Sequence, residues 1–381
     1  MTTFVRRTAA LACVAVLAAC SSNSGGTPGG TPGGPSDETS QPDFTDGQGI
    51  SAVVLPQIAA PGDSAEKSTD ADFVVDVTIE DAQAGREVEL QVPDGEDWTT
   101  EDTGETDAKG RVTLTVAQPG ELRVVSGGDT PVGVNLSTDE VPASNFADEF
   151  DQLDPAVWGT RDQGYAGVRL CSRASDEAAE AVDGVLRLSV LDDPDKGACR
   201  EKSKPYAYRL NGHIGSAYSF TYGYAAARIK FQPLRGQHGS FWLQGFGAEP
   251  TGDAKVTGAE VDIIEYFGDD HPQGGLTSFI YWHPTAKGKT AGGWLSDPEQ
   301  FGDDWSSKFH VFSVEWTPEK YVFRIDGQVT NEITQGVSGV PEFLILSLLS
   351  SDYELQQLGG DDKLPQHMDV DWVKVWPTPA A

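Results

Sequence analysis

The sequence has few of the residues that build metal centres and basic surfaces. Its 381 residues include 4 cysteines, 6 histidines, and 27 Lys plus Arg against 59 Asp plus Glu, a net charge of −32. Phosphate binding depends on basic patches, so this balance excludes nucleic acid as a partner, whereas neutral polysaccharide is compatible with such a surface. Neither a CxxC nor an HExxH pattern occurs, so the usual zinc and thiol redox signatures are missing.

Long apolar runs are also missing. The apolar stretch at residues 9–19 is too short to span a bilayer, and with Arg6 and Arg7 before it the stretch is typical of a secretory signal peptide. Residues 17–20 read Leu-Ala-Ala-Cys, which resembles a bacterial lipobox and implies cleavage before Cys20 and lipidation of Cys20. We therefore expect a protein anchored by lipid to the outer face of the bacterial cell membrane. An ordinary signal peptide cleaved nearby is the alternative.

Composition divides the chain into four segments. Residues 1–19 are the signal peptide, and residues 20–48, rich in Gly, Pro, Ser and Thr, are expected to be a disordered tether. Residues 50–138 alternate apolar and polar side chains in short runs separated by turn signals, which predicts a small immunoglobulin-like β-sandwich. This module offers only Trp98 as an aromatic platform, so we expect a spacer rather than a carbohydrate-binding module. The fourth segment is residues 144–377, which have almost no helical periodicity.

Three carboxylates fall within six residues of one apolar run, residues 258–268. Its β-branched and aromatic residues predict a central strand, on which Glu260 and Asp262 share a face and Glu265 is out of phase by one residue. A β-bulge would return Glu265 to that face. Crowded carboxylates cannot all ionise normally, and glycosidic bond cleavage needs one carboxylic acid beside one carboxylate. A solvated face of an exposed sheet is the alternative.

The run Glu-Val-Asp-Ile-Ile-Glu at residues 260–265 resembles the bulged Glu-x-Asp-x-x-Glu signature of glycoside hydrolase family 16. Further similarity, in family order, lies at residues 150–158, 183–188, 222–230, 239–243, 309–316 and 371–376. The resemblance implies an all-β fold, an antiparallel β-sandwich jelly roll, with which the many short alternating strands are consistent. Residues 174–181 are the only stretch that looks helical.

The resemblance also assigns roles to side chains. Glu260 matches the family's nucleophile, Glu265 its acid/base and Asp262 the carboxylate between them, which implies a retaining mechanism with no catalytic cofactor. Sugar subsites combine aromatic faces with a few fixed polar groups. The candidate subsite residues are Trp242, His238, Tyr281, Trp282, His283, Arg209, Asn211, Arg228 and Gln244. Packing in the core is the alternative for each of them.

One departure from the family pattern affects the substrate. His238 stands where the family has a sugar-stacking tryptophan, and the bulged signature is similar both to that of enzymes acting on β-1,3-glucans and to that of enzymes acting on algal galactans. We expect a monomeric endo-acting β-1,3-glucanase whose partner is its polysaccharide substrate. A transglycosylase, a galactanase and a non-catalytic glucan-binding lipoprotein are the alternatives.

Two structural features are expected outside the acidic strand. The resemblance implies a structural calcium ion held by the Asp371 carboxylate and the backbone carbonyls of Glu149 and Gly184. Strand capping by Asp371 is the alternative. Because the protein is expected to face an oxidising exterior, Cys171 and Cys199 are expected to form a disulfide that closes a loop of about 28 residues.

Overall fold

The computed structural model describes residues 44–59, 61–66, 71–128, 131–246 and 251–377. The predicted signal peptide, Cys20 and nearly all of the tether lie outside these residues. The described chain consists mainly of strands, with one short α-helix, Ala254–Thr257, and a few 3₁₀ turns. Among the described residues, no helix is both long and apolar enough to cross a bilayer.

The first module consists of seven strands with alternating burial. They are β1 (Ile50–Ala59), β2 (Asp72–Ile79), β3 (Glu87–Asp94), β4 (Asp97–Glu105), β5 (Arg111–Val116), β6 (Glu121–Ser126) and β7 (Val132–Ser137). Strands β1, β2 and β5 form one sheet, and β4, β3, β6 and β7 form the other. Their inward-facing side chains, such as Val75, Leu90 and Val124, share one buried core. The immunoglobulin-like classification of this module stays a prediction.

Nineteen further strands follow. They are β8 (Phe146–Asp148), β9 (Trp158–Thr160), β10 (Gly164–Ala166), β11 (Arg169–Ala174), β12 (Ala179–Val182), β13 (Val185–Asp192), β14 (Ala198–Glu201), β15 (Lys204–Ala207), β16 (Arg209–Phe220), β17 (Gly223–Lys230), β18 (His238–Gly245), β19 (Glu260–Tyr266), β20 (Leu276–Trp282), β21 (Lys289–Trp294), β22 (His310–Trp316), β23 (Tyr321–Ile325), β24 (Gln328–Ile333), β25 (Glu342–Leu349) and β26 (Gln366–Trp376). The helix expected at residues 174–181 is wrong, because a 3₁₀ turn at Asp176–Ala178 leads directly into β12.

Fourteen of these strands form two stacked sheets, and β14 and β15 pair with each other in a separate hairpin. One, the β26 sheet, has the order β12-β13-β26-β17-β22-β23-β24, and the other, the β19 sheet, has the order β9-β16-β25-β18-β19-β20-β21. Neighbours within each order run antiparallel. The predicted all-β sandwich is therefore confirmed. Apolar side chains from both sheets fill the space between them, among them Phe241, Val261 and Phe312.

Strand β16 belongs to both sheets. Arg209 to Asn211 pair with β13, whereas Gly212 and the residues after it pair with β25. A Cβ atom on Gly212 would lie 2.5 Å from the carbonyl oxygen of Ala178 and 2.9 Å from the Cβ of Leu188. The strand therefore requires glycine where it passes from one sheet to the other.

The first module packs on the β26 sheet. Leu55 and Val74 share a buried apolar cluster with Tyr224 and Trp376. The described residues of both sandwiches fall within one compact unit. The β19 sheet takes no part in this apolar cluster, so its outward face stays available.

Charged groups reinforce the same interface. The buried Arg324 guanidinium lies 3.3 Å from Asp76 of the first module and 3.1 Å from Glu315 of the second. Trp98, the expected aromatic platform, lies elsewhere on the first module, where the guanidinium of Arg123 covers its ring at 4.5 Å from the centroid. This cover limits the face that Trp98 presents to a ligand.

Candidate active site

A bulge in β19 brings the three acids onto one face of the sheet. Opposite them on β18, Gln244 pairs with Glu260, Trp242 with Asp262 and Ser240 with Glu265, and the register slips by one residue in between. The extra residue is Ile263, which is buried together with Ile264. The bulge that the spacing of the acids predicts is therefore present.

The acids line a cavity of about 330 Å³ on the outward face of the β19 sheet. Its other walls come from β18, β16, β25 and the segment around β10 and β11. The lining residues besides the acids are Arg161, Asp162, Gln163, Arg169, His213, His238, Ser240, Trp242, Gln244, Ser347 and Leu349. Asp262 sits deepest, with Oδ2 buried and without a hydrogen-bond partner among the described residues.

Burial raises the pKa of all three acids in the cluster. Burial, and then the charge of Glu265, raises the pKa of Glu260. Burial, and then the charges of Glu260 and Glu265, raises the pKa of Asp262 well above its usual range. Burial also raises the pKa of Glu265, which His238 opposes. The cluster can thus hold a carboxylic acid beside a carboxylate near neutral pH.

A chain of hydrogen bonds holds Glu260. Gln244 Nε2 donates to Oε2 of Glu260 at 2.9 Å, and Arg161 Nη2 donates to Oε1 of Gln244 at 2.8 Å. Arg161 Nη1 lies 3.3 Å from Nε2 of His213, and its guanidinium lies over the Trp242 ring at 4.9 Å. Burial, together with Arg161, lowers the pKa of His213 to about 3, so the imidazole is neutral and its Nε2 can accept that hydrogen bond.

An ion pair lies beside Glu265. Buried His238 places Nδ1 2.9 Å from Oε2 of Glu354, and Ser240 Oγ donates to Oε1 of Glu265 at 3.4 Å. Burial opposes the charge on His238, but the attraction and hydrogen bond of Glu354 outweigh it and raise the pKa of His238. The positive charge of His238 favours ionised Glu265, against the effect of burial.

The family model for glycosyl hydrolases family 16 matches residues 175–374, more than half of the chain. The chain belongs to family 16. A β-glucanase from Rhodothermus marinus is 28% identical over 194 residues, which are 48% of this chain and 62% of that protein. The chain therefore spans less than two thirds of the length of this relative.

Solved structures also match the chain, at lower sequence identity. The laminarinase catalytic domain from Thermotoga maritima is 20% identical, covers 62% of this chain and 98% of its own, and superposes with a TM-score of 0.48. LamAcat from Zobellia galactanivorans is 19% identical, with 62% and 99% of the two chains covered and a TM-score of 0.48. The two-sheet fold itself is established by the strand pairing described above.

Five of the predicted subsite residues lie in or beside the family 16 cavity. Trp242, Gln244 and His238 line it directly, and Trp242 Nε1 donates to Ser347 Oγ at 3.1 Å. Tyr281 pairs across the sheet with Glu260 and is 40% exposed. The ring of His283 lies 6.1 Å from that of Tyr281.

Trp282 and Arg228 lie away from the cavity, and their assignment to sugar subsites is wrong. Trp282 alternates with Tyr281 on β20, so its ring points into the core, where it is 8% exposed. Arg228 lies on β17 in the β26 sheet, the layer opposite the acids, and is fully buried. The sequence alone does not show which face of β20 carries Trp282, nor which of the two sheets contains Arg228.

Arg209 and Asn211 are also structural rather than sugar-binding. Both are fully buried in the part of β16 that pairs with β13. Arg209 Nη1 donates to Ser350 Oγ at 2.6 Å and to the Gly236 carbonyl at 3.1 Å. Asn211 Oδ1 accepts from the Ser350 backbone N–H at 3.2 Å. The two side chains therefore hold the chain after β25, next to the cavity but outside it.

The Asp371 carboxylate, the expected calcium ligand, contacts two donors of the protein. Oδ2 of Asp371 lies 2.6 Å from Nη1 of buried Arg228 and accepts from the backbone N–H of Glu66 at 3.0 Å. Both contacts are to Oδ2, and the calcium ion expected at Asp371, Glu149 and Gly184 stays a prediction. Within the described ranges, no three His, Cys, Asp or Glu side chains group so as to hold a metal.

Sequence reasoning missed one wall of the cavity. This wall comes from residues at the β10–β11 hairpin. Arg161 and Gln163 precede β10, and Arg169 is the first residue of β11. Oε1 of Gln163 and Nε of Arg169 are buried without a hydrogen-bond partner in the described part of the chain. Arg169 lies two residues before Cys171, which is joined to Cys199 as expected, with 5.6 Å between their Cα atoms. That cysteine was the one sequence signal near this wall.

Proposed function

We propose that this protein is an endo-acting, retaining glycoside hydrolase that cleaves a β-glucan. The observation that carries the proposal is the bulged strand, which sets Glu260, Asp262 and Glu265 on one face of a cavity, with Glu260 held from the side by Gln244. A paired carboxylate and carboxylic acid are the groups that a retaining glycosidase needs.

In the proposed mechanism, the Glu260 carboxylate attacks the anomeric carbon while the Glu265 carboxylic acid gives its proton to the departing glycosidic oxygen. The glycosyl ester on Glu260 is then attacked by water, and Glu265, now a carboxylate, takes the proton from that water. The sugar leaves with its original anomeric configuration. Burial, and then the charges of the two glutamates, raises the pKa of Asp262 well above its usual range, which favours its protonated form.

The β-glucan assignment is supported by membership of family 16 and by the similarity to the Rhodothermus marinus β-glucanase. The β-1,3 linkage rests on the resemblance of the bulged signature to that of β-1,3-glucanases. Trp242 on β18 and Tyr281 on β20 lie on either side of β19, which places aromatic rings where a chain of pyranose rings would cross the sheet. Lipid anchoring at Cys20 on the outer membrane face, with the first module as a spacer, completes the proposal.

The test uses the soluble protein beginning after Cys20, incubated with laminarin, mixed-linkage glucan, xyloglucan, agarose and carrageenan. Product masses identify the substrate, and the proton NMR signal of the first anomer released identifies the stereochemistry. Shortening of laminarin with the β anomer formed first, lost in Glu260→Gln and Glu265→Gln, is the expected result. Cleavage of a galactan instead, or products longer than the starting chain, would reassign the substrate or the reaction.

A further inference from the structure

Trp294 lies in the same row of the β19 sheet as Glu265. Glu265 pairs with Thr277 on β20, and Thr277 pairs with Trp294 on β21. Directly paired residues of an antiparallel sheet share a face, so Trp294 lies on the face that carries the acids. Two strand spacings of about 4.8 Å put it about 10 Å from Glu265 along the row. Its indole is 38% exposed.

Aromatic rings connect Trp294 to the cavity of the acids. The His271 ring stacks on Trp294 with 4.4 Å between centroids and 18° between planes. Phe267 lies 5.1 Å from Trp294 and also 5.1 Å from His238, the histidine beside Glu265. Phe267, His271 and Trp294, which we call the Trp294 platform, therefore continue the cavity wall sideways across the sheet.

A second cavity, of about 880 Å³, opens at the Trp294 platform. Carboxylates dominate its polar lining, and its residues include Asp269, Asp270, Asp297, Glu299, Asp303 and Asp304. No Lys or Arg is among the described residues that line it, and Lys308 beside it pairs with Asp303 and Asp304 at 3.3 and 3.0 Å. The acidic side chains of this lining outnumber that one cation, and carboxylates accept hydrogen bonds from sugar hydroxyls and repel sulfate or uronate groups. Burial, and then Arg235, lowers the pKa of His271, which favours its neutral form.

We propose that the Trp294 platform and this cavity form a subsite for uncharged sugar rings on the leaving-group side of the scissile bond. The ring plane of Trp294 supplies the stacking surface, and the carboxylates beyond it bind hydroxyls. The platform is assigned to the leaving-group side because it lies beside Glu265. Glu265 protonates the departing glycosidic oxygen, so the sugar bound to that oxygen starts next to Glu265. This inference rests on the proposed function, and it narrows the substrate to a neutral glycan.

The first test separates binding on the leaving-group side from general damage. Trp294→Ala should lower kcat/KM for long laminari-oligosaccharides about tenfold, the effect of losing about 1.4 kcal/mol of stacking. It should lower kcat/KM less for a nitrophenyl laminaribioside, whose leaving group carries no sugar to reach Trp294. Trp294→Phe, which keeps an aromatic face, should retain most of the activity on long chains. An equal loss on both substrates would overturn the subsite.

A binding measurement keeps this inference distinguishable from the proposed function. Calorimetry with the Glu260→Gln protein and laminarihexaose needs no turnover, and adding Trp294→Ala should weaken binding about tenfold. If binding weakens while the wild-type protein cleaves no glucan, the subsite stands and the hydrolase proposal fails. If the wild-type protein cleaves laminarin and Trp294→Ala changes neither binding nor chain-length preference, only the subsite fails.

The charge argument has its own test. Partially sulfated laminarin should be cleaved more slowly than laminarin, and the difference should shrink in Asp297→Asn. Asp297 has φ of 48°, a left-handed conformation that asparagine also tolerates, so this substitution removes charge without straining the backbone. Sulfated laminarin cleaved as fast as the neutral chain would overturn the selection for neutral sugars.

Discussion

Gln244 faces Glu260 with its amide nitrogen and Arg161 with its amide oxygen, at 2.9 and 2.8 Å respectively. Only one orientation of the amide satisfies both neighbours, since the carboxylate only accepts and the guanidinium only donates. Arg161 is itself placed by neutral His213 and by the Trp242 ring. The proposed nucleophile is therefore oriented by side chains from three other parts of the β19 sheet and its loops.

Gln244→Glu tests this orientation with little change in shape. The variant keeps an acceptor for Arg161 but replaces the donor to Glu260 with a second carboxylate. Losing a hydrogen bond to a charged group costs about 1.5–3 kcal/mol, so kcat/KM on the substrate should fall about 10- to 100-fold. The added negative charge should also raise the pKa of Glu260 and move the acidic limb of the pH–rate profile upward. An unmoved limb would contradict the contact.

Arg169 should shift both limbs of the pH–rate profile in the same direction. Its charge lowers the pKa of Glu260 and of Glu265, against the larger opposing effect of burial in both. Arg169→Gln removes a positive charge, which favours the protonated form of both acids. The acidic and alkaline limbs of kcat/KM should therefore both move to higher pH. Arg169→Lys, which keeps the charge, is the matched control and should move them less.

Glu342 should make stability depend on pH. It is fully buried at the start of β25, and burial raises its pKa to about 7 from 4.5. A carboxyl group that is harder to ionise in the folded state stabilises most at low pH, and this contribution is lost as pH rises from about 4.5 to about 7. Glu342→Gln, whose oxygen can still accept from the Ala259 N–H, should raise Tm at pH 8 and leave it unchanged at pH 4. A Tm gain of equal size at both pH values would contradict this.

Asp371→Asn should strongly destabilise the β26 sheet. The substitution leaves the buried guanidinium of Arg228 without its charged partner, which costs about 3–5 kcal/mol when a buried pair is broken. Thermal or urea unfolding of the two proteins measures the loss. Lys320→Ala, which breaks an exposed ion pair with Glu332, is the control and should cost less than about 1 kcal/mol.

Chelation should have no effect on stability. Because Arg228 occupies the Asp371 carboxylate, the protein should need no calcium to fold, and its Tm should be the same in EDTA and in excess Ca²⁺. A ligand that binds only the folded state raises the free energy of unfolding, and with it Tm, with the logarithm of its concentration over Kd. A calcium-dependent rise in Tm would therefore support the expected metal site.

The sequence predicted the acidic strand well because local geometry decides it. Glu260, Asp262 and Glu265 can share a face of the strand only if it contains a single bulge. The apolar residues between the acids show that this strand is buried in the core. The alternation of apolar and polar side chains in short runs likewise agreed with the β-sandwich fold. The pairing of Cys171 with Cys199 was also accessible, because no other cysteine follows Cys20.

The other side chains depend on information that the sequence does not carry. Tyr281 and Trp282 are adjacent and differ only in phase, so the register of β20 decides which one reaches the cavity. Arg161 lies in the irregular segment after β9 and Arg169 begins the short strand β11, so no periodicity indicates where either side chain points. Trp294 shares the acidic face with Glu265 because both pair with Thr277 on β20, the strand between them, and this pairing depends on the order of strands in the whole sheet.

Strand β16 couples the two layers of the sandwich. An insertion between Asn211 and His213 would leave the pairing with β13 intact and turn His213 away from Arg161, so Gln244 and Glu260 would lose their support in turn. A side chain at the crossing point would have the same effect, because a Cβ atom on Gly212 would lie 2.5 Å from the carbonyl oxygen of Ala178 and push the strand away from β13. The position of Glu260 thus depends on a residue without a side chain in the strand that joins the two layers.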